Sequence, residues 1–333
     1  MLLNADNRER TSPFPDRRIL FFGGKGGVGK TTLAAVAALE FADRHRRTLL
    51  VSTDPAHSTS DILRIELGPE PRGVVADCWA MELDPEREAD RYIASVKDRV
   101  AEATPPRMVA EVERQIDAAR ISPGALEAAL FERFTRILEE EGSDFDRIVF
   151  DTAPTGQTLR LLTLPEQMGA WITGLIRRRE QVGALARMWR NVAGSAAETG
   201  PAAEKADPVL AALESRRARF HRARGILTDP EQTAFVFVLI PERLPIWETE
   251  QAAQTLTKYG IPVGAMLVNQ LLPEPEPGVA EPGFLTRRRE RQATRLATIA
   301  ESLGDWPIFH VRLQESDPVG IEALREIRAE PFE

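Results

Sequence analysis

Ten residues, Gly23-Gly24-Lys25-Gly26-Gly27-Val28-Gly29-Lys30-Thr31-Thr32, constrain this chain more than any other stretch. They follow a short apolar run, Arg18-Ile19-Leu20-Phe21-Phe22, and lead into an Ala/Leu-rich stretch from Thr31 to Ala42, so they join a strand to a helix. Gly24, Gly29, Lys30 and Thr31 meet the spacing G-x-x-x-x-G-K-S/T. Glycines at these places let backbone N–H groups converge on phosphate oxygens. Lys30 then reaches the β- and γ-phosphates, and the Thr31 hydroxyl ligates Mg²⁺. The pattern implies a site for ATP and Mg²⁺, with Gly24, Lys25, Gly26, Gly27, Val28, Gly29, Lys30, Thr31 and Thr32 as the nucleotide contacts.

Lysine is rare, standing only at 25, 30, 97, 205 and 258, and every other one of the 43 basic residues is arginine. Two lysines kept in one ten-residue loop suggest sites that need a compact point charge rather than a planar fork. Lys25 is either a solvated side chain or a cation that stabilises transition-state charge in trans, as an arginine finger does.

The strand-like runs continue at Thr48 to Thr53, Cys78 to Leu83, Arg147 to Asp151, Thr233 to Ile240, Val263 to Asn269 and Trp306 to Val311, with helical stretches between them. Strands alternating with helices predict an α/β fold: a doubly wound, mostly parallel sheet with ligands at the carboxyl ends of the strands. Residues 1–17 read as a flexible tail and 18–333 as the nucleotide-binding domain. Two stretches, about 85–142 and 164–227, are too long for simple crossovers and are expected to form an inserted helical subdomain. Gly194 to Lys205 reads as a mobile linker and Pro273 to Gly283 as an extended loop.

Two acidic residues end predicted strands. Asp54, in Thr53-Asp54-Pro55-Ala56-His57-Ser58-Thr59-Ser60-Asp61, stands beside the glycine-rich loop, where it would orient an attacking water and accept its proton late; alone, Asp54-Pro55 also reads as an ordinary turn. Asp151 closes the hydrophobic run Arg147-Ile148-Val149-Phe150 and is placed to hold the Mg²⁺ shell through water. Thr31, Asp54 and Asp151 are therefore the metal candidates, and Asp54, Lys25 and Lys30 the catalytic ones.

The loop, STDPAHSTSD, DTAPTGQTLRLLTLPE and PERLPIWETEQAAQTLTKYGIPVGAMLVNQLLP together resemble the family of arsenical pump-driving and guided-entry tail-anchored-protein targeting ATPases, over about Arg18 to Ile327. The two-lysine loop is also shared with ParA/MinD partition proteins and nitrogenase iron protein. The resemblance implies that the active unit is a homodimer and that Lys25 reaches across it to the partner's nucleotide. It further implies that Asp54 and Asp151 belong to switches I and II and that Asn269 recognises adenine. The inserted helices would serve a client or a metalloid. Three features depart from that pattern. Pro282-Gly283-Phe284-Leu285 replaces a CxxC, so no zinc site is expected; Gln157 stands where a His is usual; and Val311-Arg312-Leu313 replaces a Pro-Leu pair at the base.

Leu164, Met168, Trp171, Ile172, Leu175 and Ile176, then Val182, Leu185, Met188, Trp189 and Val192, recur at helical steps. The stripe is either a core-facing helix pair or a groove for the hydrophobic transmembrane segment of a client. Arg177-Arg178-Arg179, Arg216 to Arg224 and Arg287-Arg288-Arg289 read as solvated helix faces or as receivers of acidic partners. A first expectation is thus an ATP-driven dimer that handles a membrane-protein client. A second is the ATPase that energises an arsenite pump through a membrane subunit, against which stands the single cysteine, Cys78, since As(III) calls for thiolates. A third is a ParA/MinD-like switch. A net charge of −8 gives no reason to expect nucleic acid. Two chains with one cysteine each also cannot hold an iron–sulfur cluster. With no apolar leader the chain is expected in the cytosol, or peripheral at the membrane.

Overall fold

The computed structural model describes residues 13–54, 58–103, 114, 125–152, 156, 158–160, 162–163, 173–174, 176–177, 208–275 and 282–332. The strands are β1 (Ile19–Gly23), β2 (Thr48–Ser52), β3 (Arg72–Val75), β4 (Cys78–Glu82), β5 (Arg147–Asp151), β6 (Thr233–Leu239), β7 (Val263–Leu271), β8 (Ile308–Arg312) and β9 (Ala329–Pro331). The helices are α1 (Lys30–Asp43), α2 (Ser58–Leu63), α3 (Pro85–Ala103), α4 (Ala125–Glu139), α5 (Pro208–Thr228), α6 (Arg243–Lys258), α7 (Gly283–Leu303) and α8 (Ile321–Glu326).

Among the described residues the strands form one sheet in the order β3-β4-β2-β5-β1-β6-β7-β8-β9. The pairs from β4 through β8 are parallel, while β3 and β9 run antiparallel at the two edges. The mostly parallel, doubly wound α/β fold expected from the sequence is therefore the fold observed. Neither β3 nor β9 was expected. They are four and three residues long and carry Gly73 and Pro331, so they lack the continuous apolar run that marks a strand buried on both faces.

Side chains alternate along β1 between two cores. Ile19 and Phe21 face the layer formed by α4 to α7, and Leu20 and Phe22 face the layer of α1 and α8. β1, β2 and β6 are buried throughout, as parallel strands covered on both faces are, and their sequences are accordingly near-continuous apolar runs with Thr48, Ser52 and Thr233 at the strand ends. Phe21 stacks on Phe150 at 4.9 Å and 7°, and Phe134 of α4 leans on both rings at 5.5 and 4.9 Å. Thus α4 and the end of α5, through Phe220, Ala223 and Leu227, pack on the sheet itself. Most of the apolar stripe from 164 to 192, the linker at 194–205, His57 and Gln157 lie outside the described residues; Ile176 is buried in the α4–α7 core. Cys78 is buried too, as its strand position suggested. No helix of the described residues is long and apolar enough to cross a membrane.

Phe21→Ala removes the ring on which Phe134, Phe150 and Phe235 converge. It is expected to cost about 3–5 kcal/mol of unfolding free energy in urea titrations; a loss below about 1 kcal/mol would mean the aromatic stack is not central to the core.

Candidate functional site

At two positions of the turn from β1 into α1, neighbouring atoms leave room only for hydrogen. A Cβ at Gly24 would run into the Val238 carbonyl of β6, and one at Gly29 into the Asn269 amide of β7. Gly29 has φ 93° and caps α1 without a side-chain hydrogen bond. The first N–H groups of a 14-residue helix are thereby left to a ligand, and the helix dipole favours an anion there.

The two loop lysines have separate environments. Lys30 is 5% exposed, and its Nζ donates to the Lys25 carbonyl at 3.3 Å. Burial lowers its pKa, and the nearby Asp151 and Asp54 carboxylates oppose that shift. Lys25 instead pairs with Glu248 of α6 at 3.3 Å, with both side chains about one-third exposed. One turn of α6 away, Leu244 is 49% exposed, and Trp247 beside Glu248 is 57% exposed.

Asp151 is fully buried at the end of β5. Neither of its carboxylate oxygens closes a hydrogen bond of ordinary geometry among the described residues. Burial pushes its pKa up to about 7, against the opposing pull of the Thr31 hydroxyl and the Lys30 ammonium. An inward-facing acid left under-satisfied beside Thr31 is the donor set expected of a Mg²⁺ site that works partly through water. The residues present therefore fit that ion, with Thr31 and Asp151 nearest the phosphate loop. Asp54 follows β2, half-buried, with its N–H 3.4 Å from the Ser52 hydroxyl, and it acts electrostatically on both Lys30 and Asp151. The structure thus brings Lys30, Thr31, Asp54 and Asp151 to one edge of the sheet.

Several positions given no role from sequence support these groups. Ser58 Oγ lies 3.1 Å from Thr31 Oγ1, linking the loop to the helix that follows Asp54. That helix is fastened by Ser60, whose N–H and hydroxyl donate to the two oxygens of the buried Glu82 at 2.8 and 2.7 Å. Thr53 donates its N–H to the Asp151 carbonyl at 2.9 Å, and the Thr152 hydroxyl donates to Phe22 O at 2.7 Å, so the ends of β1, β2 and β5 are tied together. Glu248 is the partner of Lys25, and Gln270 lies against the loop with Asn269. Of these, only Glu82 stood outside the quoted motifs; Ser58, Ser60, Glu248 and Gln270 stood inside them, but nothing local in the sequence pairs Ser60 with Glu82, Lys25 with Glu248 or Gln270 with the loop, and those pairs meet only through the fold. Asn269 sits at the end of β7, its Nδ2 donating to Val28 O at 2.9 Å.

In the metal-free protein a folded-state pKa near 7 at Asp151, above the ordinary value of 3.8, means that the folded state holds a proton the unfolded chain has released. That contribution to stability is fully present below about pH 4 and is lost as pH rises through about 7. Unfolding midpoints without Mg²⁺ are therefore expected to fall between pH 5 and 8 in wild type, on the scale set by that single shifted group. They should fall less in Asp151→Asn; equal slopes for the two proteins would refute the shift.

A family model described as anion-transporting ATPase matches residues 17–330. A putative arsenical pump-driving ATPase of Halobacterium salinarum is 34% identical over 97% of this chain, which spans 45% of that relative. A putative arsenical pump-driving ATPase 2 of Aquifex aeolicus is 33% identical, with 93% of this chain and 97% of the relative covered. The ATPase GET3B of Arabidopsis thaliana is 33% identical, with 93% and 77% covered. A family match over almost the whole chain, on a fold whose glycine loop, buried lysine and buried aspartate meet at one sheet edge, leaves a single assignment: this chain belongs to the ArsA family and is an ATPase.

Proposed function

We propose that this chain works as a homodimer in which ATP-driven closure handles a hydrophobic membrane-protein client. The observation that carries the reading is the division between the two lysines. Lys30 is buried against its own loop, whereas Lys25 is partly exposed on the α6 side and is paired, among the described residues, with Glu248, next to the apolar Leu244 and Trp247. A surface ion pair of this kind contributes on the order of 1 kcal/mol or less, so a phosphate offered by a second copy can displace Glu248. Two exposed apolar side chains beside it would be covered in the same step.

In the proposed cycle Lys30 and the N–H groups of the loop hold the β- and γ-phosphates, Asp54 orients the attacking water, and Lys25 of each copy neutralises charge on the other's nucleotide. Thr31 and Asp151 would hold Mg²⁺, which when bound would supply charge neutralisation. We place the protein in the cytosol, meeting the membrane through its client.

The relatives' names favour a second reading, an ATPase that energises an arsenical pump. Thiolate chemistry weighs against it: the sole cysteine is 2% exposed, and burial pushes its pKa up to about 12. As(III)-stimulated ATP hydrolysis that is abolished in Cys78→Ser would favour the pump.

Lys25→Arg is expected to keep ATP affinity within about threefold and to lose at least about 100-fold in turnover, because a planar fork does not replace a point charge in a cradle. Unchanged turnover would end the trans-lysine reading. Asp54→Asn, purified with ATP from cells, is expected to enrich proteins bearing a hydrophobic transmembrane segment over wild type, and identification by mass spectrometry with no such enrichment would remove the client.

A further inference from the structure

The end of β7 is irregular where it passes the phosphate loop. Met266, Leu267 and Val268 pair with Ile308, Phe309 and His310, but Leu271 pairs with Arg312, so β7 carries one extra residue at Asn269-Gln270. Gln270 takes φ 59°, a left-handed conformation that is costly for a non-glycine residue and is kept where the surroundings demand it. A bulge of this kind re-aims the side chains on it, and here both amides are aimed at the loop.

The contacts fall on successive carbonyls. Asn269 Nδ2 donates to Val28 O at 2.9 Å, and Gln270 Nε2 donates more weakly to Gly27 O at 3.5 Å. Asn269 Oδ1 accepts the Gln270 N–H at 2.8 Å, so the orientation of the Asn269 amide is set by the backbone, and it offers N–H to the loop. The described peptides contain no cis bond. In a trans peptide the N–H points opposite to the C=O of the same plane. Holding Val28 O therefore fixes the Gly29 N–H, and holding Gly27 O fixes the Val28 N–H. Those are donors a phosphate cradle needs. The close fit at Gly29, where a Cβ would strike Asn269 Nδ2, shows how little slack the pair leaves.

We propose that Asn269 and Gln270 are positioning residues that orient the phosphate loop through its outer carbonyls, independently of any contact between Asn269 and a base. The proposal rests on residues 24–32 being the phosphate cradle.

The test is binding of inorganic tripolyphosphate, which has no base, to the full chain, measured beside ATP by calorimetry. Asn269→Ala, and Asn269→Leu, which nearly keeps the shape and loses the donor without adding charge, are each expected to weaken tripolyphosphate binding about 10-fold, near the upper worth of one hydrogen bond. ATP should weaken at least as much, with little change in the unfolding midpoint of the ligand-free protein. Gln270→Gly keeps the left-handed backbone, loses only the side chain, and is expected to weaken tripolyphosphate about 3-fold. Unchanged tripolyphosphate affinity in the Asn269 variants, with ATP alone weakened, overturns the proposal in favour of a base contact. Should those variants not fold, Gln270→Gly decides it, and an unchanged affinity there overturns it. If wild type binds tripolyphosphate no better than Lys30→Ala does, the cradle reading itself fails and the proposal falls with it.

Discussion

A set of backbone N–H groups must point into one concavity, and every other feature of the site follows from what holds them there. Carbonyls on the outer side of the same peptides need partners, and side chains at Gly24 and Gly29 have no space. The loop is accordingly wedged between the ends of β6 and β7, with Val238 O behind Gly24 and the Asn269 amide behind Gly29. A parallel sheet supplies such wedges without special devices, because its strands end together on one side and the loops that leave them converge.

Charge is handled by depth. Lys30 and Asp151 are both buried, and each is penalised by burial and relieved by the other: desolvation lowers the Lys30 pKa and raises that of Asp151, while their mutual attraction opposes both shifts. A polyanion and a divalent cation bound between them would replace the missing solvent with charge of the right sign at each position. Lys25 lies outside this economy of burial. Partly exposed and paired with an equally exposed carboxylate, it can change partners at small energetic cost.

The elements around Asp54 and Asp151 are attached to the loop by short polar links rather than by packing. Thr31 and Ser58 join through their hydroxyls, the Ser60 pair of hydrogen bonds fixes the following helix to Glu82, and Thr53 and Thr152 bind the strand ends to one another. The aromatic core from Phe21 to Phe150 and Phe134 lies beneath these links, packed by ring contacts rather than by hydrogen bonds.

By itself the sequence determined the loop, the strand that feeds it and the helix that follows, because glycine spacing and apolar runs are local consequences of backbone sterics. It also determined the parallel architecture, since β1, β6 beyond Thr233 and the middle three residues of β2 and β5 are continuous apolar runs, as burial on both faces requires. It did not reveal β3 and β9, which are too short and too exposed to leave a pattern. Only the tertiary structure decided that Lys25 meets Glu248 across more than two hundred residues, that Glu82 anchors Ser60, and that a bulge in β7 turns Asn269 and Gln270 onto the outer carbonyls of the loop. These pairings depend on which strands end side by side, and that is set by the order of strands in the sheet, β5-β1-β6-β7, rather than by their order along the chain.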